Sequence, residues 1–355
     1  THGKTTTTSM LAWVLTHARR DPNFMVGGIA GNFGSNFRLG GGELFVIEGD
    51  EYDTAYFDKV PKFWHYAPTR ATINNLEFDH ADIYDSVADI EHVFRVLVSM
   101  LPVDGSLWVN GDDRRAMDVS AGAPCTRRTF GLGEDNDLRA TDLSFADETS
   151  AEVIFDGQSL GRFAIHAPGD FNVRNMLGAL ALAMDEGVDV EAAREGFASF
   201  VPTRKRQELV GQVDDILVFD DFAHHPTAVG KTLEAMRARF PDRRIWAIFE
   251  AKSNTSRRRV FQDAYVPALR IADEVVLSKP WKRDEGLPKD QLLDIDQLLA
   301  DIEADGGPKA VLLPEVGAIA AHVGAHAKDG DVIVGLSGSA FDGVHQKILD
   351  ALRSR

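Results

Sequence analysis

Short apolar runs alternate with amphipathic stretches of helical period along most of this chain, and that alternation admits little besides helices packed on a mostly parallel sheet. Strands are expected at residues 43–47, 71–73, 106–109, 216–219, 245–249, 274–277 and 332–335, and helices at 5–19, 90–100, 172–186, 227–239, 258–271 and 341–352. Residues 126–167 break the rhythm. Their short alternating runs, 151–155 and 162–165, are separated by Gly and Asp, the pattern of a small antiparallel sheet. A basic run at 201–206, Val-Pro-Thr-Arg-Lys-Arg, precedes a second strand and helix series. A boundary there gives two domains, 1–200 and 201–355, which suits a chain of 355 residues.

Charge narrows the ligands. Lys plus Arg number 38 against 55 Asp plus Glu, a net charge of −17. Nucleic acid and anionic membrane should be repelled over most of such a surface, so an anionic ligand needs a local positive site. The single cysteine, Cys125, can form no internal disulfide, so a reducing cytoplasm is the expected compartment. No stretch approaches the roughly 18 apolar residues of a membrane span.

One local positive site stands at the start. Thr1-His2-Gly3-Lys4-Thr5-Thr6 matches the second half of a phosphate-binding loop, in which glycine lets backbone N–H groups crowd a phosphate and lysine neutralises it. The Thr5 hydroxyl can ligate magnesium, and a helix starting there presents its positive end. A Thr-rich helix start with a chance Gly-Lys pair is the alternative. Two acidic clusters follow expected strands: Glu48-Gly49-Asp50-Glu51-Tyr52-Asp53 and Asn74-Asn75-Leu76-Glu77-Phe78-Asp79-His80. Carboxyl ends of parallel strands are where ligands collect, so these carboxylates and His80 are candidate partners for a metal; solvated acidic turns are the competing reading.

Six motifs in order now resemble the Mur ligase family of peptidoglycan synthesis: residues 1–8 (THGKTTTT), 48–53 (EGDEYD), 75–82 (NLEFDHAD), 169–175 (GDFNVRN), 204–208 (RKRQE) and 220–227 (DDFAHHPT). The resemblance spans nearly the whole chain. It implies an α/β fold: a central P-loop-type ATPase domain, mostly parallel with a small antiparallel sheet, then a Rossmann-like C-terminal domain. Residues 27–34 (GGIAGNFG), 253–255 (SNT) and 341–349 (FDGVHQKIL) resemble the recycling branch of the family more than its alanine-adding branch. The implied reaction joins UDP-N-acetylmuramate to the tripeptide L-alanyl-γ-D-glutamyl-meso-diaminopimelate through an acyl phosphate, with ATP giving ADP and phosphate. The first alternative is ligation of free L-alanine to the same acceptor. The second is a non-catalytic nucleotide-binding module.

The resemblance also implies roles. Gly3, Lys4, Thr5 and Thr6 would cradle the ATP phosphates; Thr5 and Glu48 would hold one Mg²⁺ and His80 a second. Asn172 and Asn175 match the asparagines that read adenine, with an N-capping role as the alternative for Asn172. Arg206 would reach the ATP phosphates and Asp221 would meet the nucleotide, against the plainer reading of a solvated basic hinge. His224 and His225 would lie near the incoming amine, or form a buried hydrogen-bonded pair. Asn32, Ser253, Asn254 and Thr255 are candidates for substrate contacts, and Arg257–Arg259 for the peptide carboxylates. Two departures stand out. Phe171 replaces the family's usual His, and residues 63–204 contain no lysine, so the carbamylated lysine of several Mur ligases is not available there. Because Thr1 falls inside a motif, a UDP-binding domain of roughly 100 residues is expected ahead of it, and a piece lacking it is expected to be inactive and to bind UDP-N-acetylmuramate poorly.

Overall fold

The computed structural model describes residues 1–145, 148–279 and 288–355, and its contacts divide into two compact units, Thr1–Arg204 and Lys205–Arg355.

In the first unit the elements run α1 (Lys4–His17), β1 (Asn23–Ala30), β2 (Ser35–Arg38), β3 (Phe45–Ile47), β4 (Asp53–Ala55), β5 (Asp58–Pro61), β6 (Arg70–Ile73), α2 (Val87–Ser99), β7 (Ser106–Asn110), α3 (Arg114–Ser120), β8 (Thr126–Gly131), β9 (Leu138–Phe145), β10 (Thr149–Phe155), β11 (Gln158–Ile165), α4 (Asp170–Asp185) and α5 (Val190–Ala198). Strands β6 to β9 pair in parallel, and β9, β10 and β11 continue the same sheet in antiparallel fashion. The antiparallel strands expected from 126–167 therefore extend the parallel sheet edge to edge rather than standing apart. Asp156 and Gly157, at φ 48° and 80°, make the tight β10–β11 turn that the Asp-Gly pair prescribes. A separate three-stranded sheet has the order β2-β1-β3, with β3 parallel to β1.

Helices α1 and α4 form the centre of this unit's core. Met10, Ala12, Val14, Leu15, Leu177 and Leu180 are each at most 1% exposed. An α1 that is apolar or threonine-lined on every side is a helix buried all round, and Thr8 and Thr16 satisfy their hydroxyls on the carbonyls of Lys4 and Ala12. Strands β3 and β6 are each the last strand of their sheet, and between them runs a cleft of about 600 Å³ with largely apolar walls.

The second unit comprises β12 (Glu208–Val213), β13 (Ile216–Asp221), α6 (Pro226–Arg239), β14 (Ile245–Glu250), α7 (Gln262–Leu269), β15 (Glu274–Ser278), α8 (Ile295–Glu303), β16 (Lys309–Leu313), α9 (Val316–His326), β17 (Val332–Ser337) and α10 (Val344–Arg353). Its sheet has the order β12-β13-β17-β14-β15-β16, parallel except for β12. The fully buried β14 and β17 carry no charged or polar side chain until their last residues, Glu250 and Ser337, as doubly covered parallel strands do. The helix expected at 258–271 is shorter: a 3₁₀ turn occupies Arg259–Phe261, and α7 carries Pro267 inside it. Among the described residues, no helix is long and apolar enough to cross a membrane.

Candidate functional site

Gly3 begins the site. Its φ of 80° lies in the left-handed region, and a Cβ there would stand 2.1 Å from Asn175 Oδ1, so both backbone and neighbour demand glycine. The loop is fastened to the segment after β6: His2 N donates to Asn75 Oδ1 at 2.7 Å, Glu77 N donates to Thr1 Oγ1 at 3.0 Å, and His2 Nε2 lies 3.2 Å from Glu77 Oε2. The start of α1 is thereby held at the carboxyl end of β6, with Lys4 on its first turn.

Lys4 Nζ sits 2.8 Å from Glu51 Oε1 and 2.7 Å from Oε2, and also donates to the Thr1 carbonyl. Glu51 is 1% exposed. Burial alone would raise its pKa, but the Lys4 ammonium holds it well below the usual carboxylate range; burial likewise opposes the charge on Lys4, which Glu51 more than restores. His80 Nε2 lies 3.2 Å from Glu51 Oε1. Burial disfavours its protonated form, yet the hydrogen bond to Glu51 and the Asp79 charge leave its pKa raised. His80 adopts φ 53°, an uncommon conformation for a non-glycine residue that places its ring at this cluster. Tyr84 closes the far side by donating to the Glu51 carbonyl at 2.5 Å.

Thr5 and Glu48 form a second pair. The Thr5 hydroxyl donates to Glu48 Oε1 at 2.9 Å, and Glu48 Oε2 accepts the Gly27 N–H at 2.6 Å. These are hard oxygen donors side by side, a set suited to a small divalent cation. Thr6 is buried in α1 next to them. The structure thus gathers Gly3, Lys4, Thr5, Thr6, Glu48 and His80 around one loop, and singles out from the acidic run Glu51, to which the resemblance gave no role of its own. Its spacing, three residues past Glu48 in an acidic run, was the available signal; which of the run's acids meets Lys4 is decided by the chain's turn after β3.

The two asparagines are inside. Asn172 and Asn175 are 6% and 4% exposed. Asn175 Oδ1 accepts from Thr7 Oγ1 and Asn74 Nδ2, its Nδ2 donates to Asn172 Oδ1, and Asn172 Nδ2 donates to the Pro168 carbonyl. Gly169, not Asn172, caps α4, so the N-capping alternative for Asn172 is corrected: the residue lies two positions inside the helix and bonds backward to Pro168. Asn74 joins the set as another residue the sequence reading did not single out. Asn32 spans the Ser199 carbonyl and the Val201 N–H, at 2.9 and 2.8 Å, pinning the turn after β1 to the end of α5.

In the second unit, Asp221 is 4% exposed and accepts N–H groups from Gln207 at 2.8 Å and Ala223 at 2.7 Å. Burial raises its pKa against the pull of Arg206 and these donors. The Arg206 guanidinium lies 5.3 Å from the Phe222 ring centroid. His225 caps α6, taking the Thr227 N–H on Nδ1 at 3.3 Å, and packs edge-on against Phe261. His224 Nδ1 lies 2.9 Å from the Phe222 carbonyl, an acceptor only, so Nδ1 carries the proton. Beyond β14, Ser253 and Ser256 exchange hydrogen bonds, Asn254 Oδ1 accepts from Arg257, and Thr255 is buried. Glu250, also unassigned from sequence, gathers Ser337 and Ser339 hydroxyls at 2.5 and 2.7 Å at the carboxyl ends of β14 and β17.

Comparison with known proteins accounts for both units. Residues 1–183 match the Mur ligase middle domain and residues 205–339 the Mur ligase, glutamate ligase domain. The chain is 38% identical over 354 residues, 99% of its own length and 75% of the relative's, to the UDP-N-acetylmuramate–L-alanyl-γ-D-glutamyl-meso-2,6-diaminoheptandioate ligase of Haemophilus influenzae. It is 35% identical over 280 residues, 79% of the chain and 60% of the relative, to the UDP-N-acetylmuramate–L-alanine ligase of Desulfitobacterium hafniense. The crystal structure of a murein peptide ligase from Psychrobacter arcticus superposes with a TM-score of 0.72 at 34% identity, covering 99% of this chain and 76% of that one. With a family model matching each unit in order and a relative aligned along nearly all of its length, the chain belongs to the Mur ligase family.

Proposed function

We propose that the chain ligates UDP-N-acetylmuramate to L-alanyl-γ-D-glutamyl-meso-diaminopimelate at the expense of ATP. The observation that carries this reading is the Lys4, Glu51 and His80 cluster beside the Thr5 and Glu48 pair, in a chain whose 38% identical relative bears that activity in its name. A muramate carboxylate is a poor electrophile. One of its oxygens attacks the γ-phosphorus of ATP, the bond to ADP breaks, and an acyl phosphate results. The peptide's amine nitrogen then attacks the acyl carbon, phosphate leaves, and the amine gives up a proton. Positioning and charge neutralisation dominate such chemistry, and no protein nucleophile is required.

Lys4 supplies the fixed positive charge for the phosphates. Thr5 and Glu48 are the residues that would hold a magnesium ion, with His80 assigned to a second. When bound, the metal neutralises phosphate charge. His224 and His225 are assigned to the neighbourhood of the incoming amine, the His224 ring oriented by its Nδ1 bond to the Phe222 carbonyl. Asn172 is assigned to adenine and Asn175 to bracing the loop it touches; Arg206 and Asp221 are assigned to the nucleotide, and Ser253, Asn254 and Thr255 to the peptide. The test is a substrate panel on the full-length protein. ADP release should require ATP, UDP-N-acetylmuramate and the tripeptide together. AMP and pyrophosphate as products would end the acyl-phosphate mechanism. Preference for free L-alanine would move the chain to the second reading, which the Desulfitobacterium relative supports over a shorter alignment.

A further inference from the structure

Helix α9 carries His322 and His326, whose rings stand side by side with centroids 4.4 Å and planes 31° apart. A spacing of four puts both imidazoles on one face of the helix, one turn from each other. Each ring is already oriented. His326 Nδ1 lies 2.8 Å from the His322 carbonyl, an acceptor only, so Nδ1 carries the proton and the neutral ring keeps its lone pair on Nε2. His322 packs edge-on against Trp246 with ring centroids 6.0 Å apart, and that indole is fixed in turn by its Nε1 bond to Asp331 at 2.9 Å. His326 is exposed and His322 half-buried. The ligation described above gives this pair no part. Trp246 is the second residue of β14 and packs on His322, so the pair stands toward the amino ends of the second unit's strands; Asp221, Glu250 and Ser337 close the carboxyl ends of theirs.

We infer that His322 and His326 form a binding site for a late divalent transition-metal ion, Zn²⁺, Ni²⁺ or Cu²⁺, on the last turn of α9. The donor set selects the class. Imidazole nitrogen suits these ions, whereas magnesium and calcium take oxygen. A ligating histidine usually donates its other ring N–H to a carbonyl or carboxylate, and His326 makes that bond without any metal. Two metal–nitrogen bonds of about 2.0–2.1 Å reach across about 4 Å, close to the separation of the two rings. Water would fill the remaining positions. The surroundings accept a cation: the carboxyl end of a helix carries partial negative charge. Two arginines already use that end, Arg244 on the His326 carbonyl at 3.0 Å and Arg355 on the Gly324 carbonyl at 2.6 Å. The Arg244 charge is balanced by Asp331 at 2.6 Å and Glu274 at 3.3 Å.

The experiment uses the full-length protein as wild type, H322A, H326A and the double variant, each with a native circular-dichroism spectrum, titrated calorimetrically with ZnCl₂ in excess MgCl₂. Magnesium occupies the oxygen sites, and the chain's 11 histidines make the difference between variants the quantity that matters. Wild type should take up about one zinc ion per chain more than the double variant. Either single substitution should weaken that step more than roughly tenfold, since losing a ligand costs no less than losing the group that orients one. Cu²⁺ in place of Zn²⁺ should give an electron paramagnetic resonance spectrum with coupling to two imidazole nitrogens, absent from the double variant. Equal zinc stoichiometry and affinity in wild type and double variant overturn the proposal, as does a single variant that binds as tightly as wild type.

Discussion

Replacing Asp220 with Asn should make the second unit more stable at neutral pH and leave it no more stable at pH 4. Asp220, on β13, has Oδ1 3.5 Å from Nε2 of His345, on α10; their side chains are 13% and 8% exposed. Burial pushes the Asp220 carboxyl up to about 6 from 3.8, with Lys205 opposing and Asp221 and Glu208 adding to the shift. Burial and the Lys205 charge push His345 down to about 4 from 6.5. Between these values the folded pair holds one proton as a neutral acid beside a neutral imidazole. The unfolded pair also holds one proton, as carboxylate and imidazolium, so in wild type the two effects on proton binding cancel. Substitution removes that balance. A carboxyl whose folded pKa is raised costs nothing below its unfolded pKa and costs stability progressively as pH climbs to the folded value. About two units at 1.36 kcal/mol each is about 3 kcal/mol. The gain of D220N over wild type should therefore grow from near zero at pH 4 to about 3 kcal/mol by pH 6.5, then level off. Native-state hydrogen exchange of β13 and β17 amides from pH 4 to 7 measures it within this unit. A difference that stays flat across the range, or falls with pH, refutes the argument.

Lys4→Ala should cut ADP release by roughly three orders of magnitude while the circular-dichroism spectrum stays native; full activity would remove the phosphate-loop assignment. Glu48→Gln should raise the magnesium concentration needed for half-maximal activity, because a charged hard donor is lost beside Thr5, and a magnesium titration reads it directly. Gly178→Ala would place a Cβ 3.2 Å from Phe130 Cζ and Thr72 Oγ1 and 3.3 Å from Asn74 Oδ1, so urea unfolding should show a loss of about 1–3 kcal/mol.

What the sequence reveals of this molecule depends on how apolar a segment is. Strands β14, β15 and β17 are runs of Val, Ile, Leu, Trp and Phe that no exposed element would carry, and all three stand where periodicity places them. Strand β1 contains Gly27 and Gly28, β12 contains Gly211 and is half-exposed, and β2 is Ser-Asn-Phe-Arg; none has a composition that marks a strand, and pairing with neighbours makes them so. The site divides the same way. Gly3, Lys4 and Thr5 are legible because a phosphate loop is local chemistry. Glu51 is not, since Glu48, Asp50 and Glu51 are equivalent acids until the turn after β3 sends one to Lys4 and another to Thr5. Asn32 reads as a polar residue in a glycine-rich turn, and only the fold shows both ends of its amide spent on the 199–201 backbone.

The hydrogen bonds that join Thr1 and His2 to Asn75 and Glu77 make the start of α1 and the segment after β6 one mechanical piece. A displacement of either carries Lys4 and His80 with it, so the ammonium and the imidazole keep their spacing across Glu51. The same coupling means that a fault in one segment is a fault in both: Asn75, an uncharged amide with no part in the chemistry, holds the phosphate loop through two hydrogen bonds to the backbone of His2.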